Sequence, residues 1–154
     1  MTPGGICRRT LFRVILPAGL LAAASAGPLK ASEPHRLALQ ISDSDPAKMR
    51  AVLDVAANVS RLYSGQGEEA EIIVVAFNGG VDMLLEDRSP VKDRMANFLK
   101  AMPNVSFVAC GNTLETLAAK EGRRPPLMAG VEVAQVGVAA LMELAEKRWT
   151  IVRP

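Results

Sequence analysis

Cys110 sits where a chain of this pattern would place a reactive thiol. It closes the apolar run Val105-Ser106-Phe107-Val108-Ala109, which reads as a buried strand, and opens Cys110-Gly111-Asn112-Thr113-Leu114, which reads as a tight turn into a helix. In open α/β sheets ligands and chemistry gather at the carboxyl ends of strands, beside helix N-termini that favour negative charge. A thiolate there is held by the same peptide dipoles that hold phosphates elsewhere. A free thiol has a pKa of about 8.5. A helix N-terminus contributes about 0.3 to 1 kcal/mol, up to about 2 in partly buried geometry. At about 1.36 kcal/mol per pKa unit, the dipole alone brings the thiol to about 7 to 8. That suffices for nucleophilic attack on a persulfide or disulfide sulfur by ordinary exchange. The bland alternative is a small buried hydrophobe, because free cysteine is among the most buried residue types.

Around this thiol, Gly111, Asn112 and Thr113 are candidate binding residues, and Asn78 and Gly79 join them from the end of an earlier strand. Asn78-Gly79-Gly80 matches neither a dinucleotide-binding nor a P-loop pattern, so a plain turn is the competing reading and no cofactor is expected. Asp82, Glu86 and Asp87 read as a solvated helix face. Arg123 and Arg124 read as an exposed loop, able to add positive charge to Cys110 only if that loop folds near it. Met95, Met102, Met128 and Met142 read as core packing.

Before Cys110 comes a segment with the pattern of an export signal. Arg8-Arg9-Thr10-Leu11-Phe12-Arg13 is a basic start, and Val14 to Ala26 is an apolar run of about 13 residues, shorter than the about 20 a spanning helix needs. Ala24-Ser25-Ala26 supplies a small-residue cleavage site, with a second near Ala31. The paired arginines resemble a twin-arginine signal as much as an ordinary secretory one. Residues 1–31 are therefore expected to be a signal peptide and the mature chain periplasmic, without a membrane span. Cys7 would leave with the signal, so Cys110 would be the mature chain's single cysteine and an internal disulfide is excluded. Cleavage removes four of 18 basic residues and none of the 16 acidic ones, taking the net charge from +2 to about −2. With no basic stripe and few aromatics, nucleic-acid binding is not expected. His35 is the chain's one histidine, so neither a zinc site nor a His-dependent triad is expected.

The remaining residues alternate between two periodicities. Strands are expected at Arg36–Ser42, Glu71–Phe77, Val105–Ala109, Val131–Ala134 and Trp149–Val152. The run Glu71–Phe77 is continuously apolar after its first residue, the mark of a strand covered on both faces. A helix is capped by Asp45 with Pro46 at its first position and runs to about Tyr63. A short helix fits Val81–Glu86, and a longer one opens at Ser89-Pro90. Asn112 and Glu115 have the spacing of a capping box for a helix over Thr113–Glu121. A last helix, Gln135 to about Lys147, is expected to turn Val138, Leu141, Met142 and Ala145 inward. The pattern predicts one α/β domain over 36–154, a three-layer α/β/α sandwich around a mostly parallel sheet of about five strands.

Two segments resemble the DsrE/DsrF-like (YchN-like) sulfur-relay family. One is the strand ending in Cys110-Gly111-Asn112-Thr113-Leu114; the other runs from Gly137-Val138-Ala139-Ala140-Leu141 to Trp149-Thr150-Ile151-Val152-Arg153-Pro154. Asn78-Gly79 matches the family's small-residue loop. The resemblance covers about residues 36 to 154. It implies association into trimers or hexamers and a cysteine, here Cys110, carrying sulfur as a persulfide between donor and acceptor proteins. Two features depart from the family. Its better-known members work in the cytoplasm, and they commonly have Gly-Tyr where this chain has Arg148-Trp149. Three functions are therefore expected in turn: an exported sulfur carrier, a non-catalytic oligomeric binding module of the same fold, and a small-ligand site at the strand ends.

Overall fold

The computed structural model describes residues 33–154. The expected signal peptide lies outside the described residues. Five parallel strands, β1 (His35–Ile41), β2 (Ala70–Ala76), β3 (Val105–Cys110), β4 (Glu132–Ala134) and β5 (Thr150–Val152), form one sheet in the order β4-β3-β2-β1-β5. The helices between them are α1 (Pro46–Gln66), α2 (Lys92–Ala101), α3 (Gly111–Glu121) and α4 (Gly137–Glu146), with a 3₁₀ turn at Asn78–Leu84. This is the expected α/β sandwich with a parallel sheet. No described helix is long and apolar enough to cross a membrane.

Local chemistry sets the ends of the elements. Asp45 caps α1 by accepting from the Ala47 N–H at 2.7 Å, with Pro46 at the first position. Gly67 ends it at φ 72°, in the left-handed region. Helix α4 ends the same way without a glycine. Arg148 takes φ 65°, its N–H bonds to Ala145 O, and the Trp149 N–H bonds to Leu144 O. These two bonds satisfy the Ala145 and Leu144 carbonyls, and Leu144 and Trp149 both pack against the small core on that face. Arginine thus occupies a backbone conformation that glycine takes without steric cost, at the position where the resembled family commonly has glycine.

The strand order explains the layers. The chain moves one way from β1 to β4 and then returns across the whole sheet to β5. With right-handed crossovers that reversal sends α4 to the opposite face from α1, α2 and α3. Alternate strand residues divide accordingly. Leu39, Ile72, Val74, Val105, Phe107 and Ala109 face the large core with Met49, Leu53, Met95, Phe98 and Leu114. Ala38 and Val75 face Leu141, with Phe77, Val108, Leu144 and Trp149 around them.

Helix α4 begins at Gly137, two residues later than expected, and its inward residues are Gly137, Leu141 and Leu144. Val138 and Met142, expected inside, are 50% and 62% exposed, and Ala145 is exposed too. The helix is apolar on nearly every side, so sequence periodicity does not choose its buried stripe. Of the four methionines expected in the core, Met95 and Met128 are buried and Met102 packs against it, whereas Met142 is not. The expected helix at Val81–Glu86 is instead the 3₁₀ turn, and the one expected at Ser89-Pro90 begins at Lys92.

Gly80 lies in that 3₁₀ turn, where a Cβ would sit 2.2 Å from the carbonyl oxygen of Ile41 in β1. The obstacle is backbone within the sheet and cannot swing aside. Gly80→Ala is therefore expected to cost about 3 kcal/mol or more of stability, read as a lower urea midpoint. A midpoint within error of the wild type would contradict this packing.

Candidate functional site

The site lies where the chain changes face. Strands β3 and β4 are neighbours, with Cys110 paired to Ala134, but β3 runs on into α3 on one face and β4 into α4 on the other. A crevice between adjacent strands whose connections part in this way is where open α/β sheets place ligands. Cys110 ends β3 and is the N-cap residue of α3. Its side chain has the parity of Val108, so it points to the α4 face and lies under the start of that helix.

Two helix N-termini meet at its sulfur. The Gly137 N–H, at the first position of α4, donates to Cys110 Sγ at 3.3 Å. From α3, the Thr113 hydroxyl and the Thr113 and Asn112 N–H groups also favour the thiolate. Burial pushes the thiol up, but these donors together outweigh it and hold Cys110 below its ordinary pKa. The thiol itself lies 3.8 Å from Gln135 O. Cys110 is 6% exposed, so its sulfur faces amide hydrogens but meets little solvent. Backbone donors surround the sulfur, but it lacks ready access to solvent.

The other candidate residues gather nearby with different roles. Asn78 adopts φ 49° and its N–H donates to Thr113 Oγ1 at 3.0 Å, tying the end of β2 to α3. Gly79 passes so close to the β1–α1 loop that a Cβ would lie 2.9 Å from Ser44 N. Asn78, Gly79 and Thr113, with Asp82, Thr116, Leu117 and Lys120, line an open hollow of about 320 Å³. Cys110 is not among its lining residues. Thr113 is the link, since it borders the hollow and also favours the buried thiolate. A larger hollow of about 480 Å³ lies among Ser60, Ser64, Glu68, Glu69 and Asn104, at the opposite end of the sheet from Cys110.

The expected capping box does not form. Asn112 Oδ1 and Glu115 Oε1 both accept from Gln135 Nε2, at 2.8 and 2.9 Å, and the Asn112 N–H donates to Gln135 O at 3.0 Å. Cys110 occupies the cap position instead. Gly111 is needed for this approach, because a Cβ there would lie 3.0 Å from both Gln135 Cα and Gln135 Oε1. Gln135 and Gly137 are therefore site residues that the sequence reading missed as such. Nothing in the 24 residues between Cys110 and Gln135 signals the contact; the strand order makes it.

The charged candidates stand apart from the thiol. Arg123 bonds Asp87 at 3.0 Å, and Arg88 grips Glu121 with two bonds of 2.7 Å. The Arg88 guanidinium holds the Glu121 carboxyl below its usual range. Glu86 pairs with Lys92. This network joins the loop after the 3₁₀ turn to the end of α3. Among the described residues no group of three His, Cys, Asp or Glu side chains could hold a metal ion.

No family model matches the chain, and no curated protein does. Among solved structures, the protein of unknown function MTH1491 from Methanobacterium thermoautotrophicum has a similar fold. It superposes with a TM-score of 0.63 at 27% identity, over 78% of this chain and 99% of that one. The shared property is the α/β architecture around a single sheet.

A thiol held below its ordinary pKa makes folding pH-dependent. The folded state then releases the proton more readily than the unfolded state. The stabilisation is complete above the ordinary thiol value of the unfolded chain and is lost as pH falls through the lower folded value. The stability gap between wild type and Cys110→Ser in urea unfolding is expected to widen as pH rises towards 9 and then level off. A gap that narrows over that range would contradict the donor arrangement.

Proposed function

We propose that this chain is an exported DsrE-like sulfur carrier in which Cys110 holds sulfane sulfur in transit. The observation that carries this reading is the Gly137 N–H directed at Cys110 Sγ from the start of α4, with α3 beginning at the same residue. Peptide dipoles favour negative charge at that point, and a persulfide is more acidic than a thiol, so the arrangement suits the loaded as well as the free form. The Cys110 thiolate attacks the outer sulfur of a donor persulfide. A new S–S bond forms, the donor's S–S bond breaks, and the donor leaves as a thiolate. There is no net oxidation, and the reverse step passes the sulfur to an acceptor thiol. The chain's own contribution is electrostatic. Asn112, Thr113 and Gly137 hold charge at Sγ, while the Asn78–Thr113 bond fixes the threonine that takes part.

A second reading, a non-catalytic oligomeric module, has its own support. Among the described residues one helix of 10 residues covers the α4 face of the parallel sheet, leaving Val136, Val138, Met142 and Ile151 between 37% and 62% exposed. Parallel sheets are ordinarily covered on both faces, and a second copy of the chain suits this apolar surface. This reading needs assembly and the carrier reading needs the thiol.

Two measurements separate them. Incubating the full chain with a low-molecular-weight persulfide is expected to add one sulfur to Cys110, removable by reductant and absent in Cys110→Ser, by peptide mass spectrometry. No adduct on a Cys110 that does react with an alkylating agent would remove the carrier reading. Met142→Lys is expected to lower the solution mass to that of one chain with unchanged circular dichroism. A wild type already monomeric by light scattering would remove the oligomer.

A further inference from the structure

We infer that Gln135-Val136-Gly137, which joins β4 to α4, is a strap closed over Cys110 and latched by the Gln135 side chain, and that opening this strap exposes the sulfur. The inference deepens the carrier reading and rests on it, since a buried thiol must meet a donor. Gln135 Nε2 donates to Asn112 Oδ1 at 2.8 Å and to Glu115 Oε1 at 2.9 Å, and Gln135 O accepts from the Asn112 N–H at 3.0 Å. All three bonds cross from the strap to the first turns of α3. The strap's inner end is Gly137, whose N–H rests on the sulfur. A Cβ there would lie 3.1 Å from Cys110 Cβ and 3.3 Å from Phe77 Cβ, so glycine lets the strap seat flat on the thiol.

The remainder of the strap has little else to hold it. Gln135 and Val136 are exposed, with Val136 44% accessible, and β4 behind them is a three-residue edge strand with Glu132 and Val133 exposed. Segments with few buried contacts and exposed hydrogen bonds open locally at far lower cost than the whole fold. Closed, the strap keeps a loaded sulfur from stray thiols and oxidants; open, it admits a partner. Gln135 is thus a positioning residue that acts on sulfur access and leaves the sulfur's charge to Gly137 and α3.

The test uses iodoacetamide on the full chain, with Cys110 followed at the peptide level so that Cys7 does not interfere. Gln135→Ala removes both side-chain bonds of the latch, and Cys110 alkylation is expected to rise by about tenfold. Its pH midpoint should stay where it is in the wild type, because the donors to Sγ remain. A rate within about twofold of the wild type overturns the strap, as does a rise accompanied by a shifted pH midpoint. The wild type supplies a second measurement should that variant fold poorly. Local opening exposes little surface, so the alkylation rate should be nearly flat across low urea concentrations; a steep rise would mean that only global unfolding reaches the thiol, and the strap fails. Iodoacetamide needs no sulfur chemistry, which separates the two proposals. A faster variant that never takes up sulfur overturns the carrier and leaves the strap. Equal persulfide uptake by wild type and Gln135→Ala, at equal alkylation rates, overturns the strap and leaves the carrier.

Discussion

The reversal of strand order at β4 is the constraint on which the candidate site depends. As long as the chain adds strands in one direction, its helices lie on one face and their N-termini stand side by side. Once it turns back, the next helix must start on the other face, beside the strand just left behind. Here that strand ends in Cys110. The start of α4 therefore lies directly over a residue that already begins α3, and two sets of free amide hydrogens converge on one sulfur.

Burial and stabilisation of charge are two effects of the same packing. The Gly137 N–H reaches Sγ only because Gly137 lies flat against Cys110 and Phe77, and that contact is also what keeps solvent away. An apolar lid would have raised the thiol's pKa without compensation. A lid made of backbone donors lowers it instead. The residue is thus buried like a hydrophobe, beneath backbone donors that favour its charged form.

The two faces of the sheet carry unequal loads. Three helices and the 3₁₀ turn cover one side with a core that includes Phe107, Leu39, Met49 and Leu53, all fully buried. Among the described residues the other side has α4 alone. Val136, Val138, Met142 and Ile151 form the exposed apolar remainder of that face. Stability therefore resides mainly on the α1–α3 side, while the α4 side, thinner and anchored to α3 through Gln135, contains the parts that bear on the thiol.

Much of the fold was legible along the chain because its signals are local. Asp45-Pro46 starts a helix by hydrogen bonding and ring geometry, and the apolar run ending at Ala76 reads as a central strand. Cys110 at a strand-to-helix junction was equally legible. The inward stripe of α4 was not, because a helix apolar on nearly every side offers no contrast for periodicity to read. Asn112 and Glu115 had the spacing of a capping box, yet a side chain from beyond the next strand claimed both acceptors. Local signals along the chain specify most of the elements and put a thiol at a strand end. That this thiol lies beneath a second helix follows from strand order, which is set by packing between residues far apart in the chain.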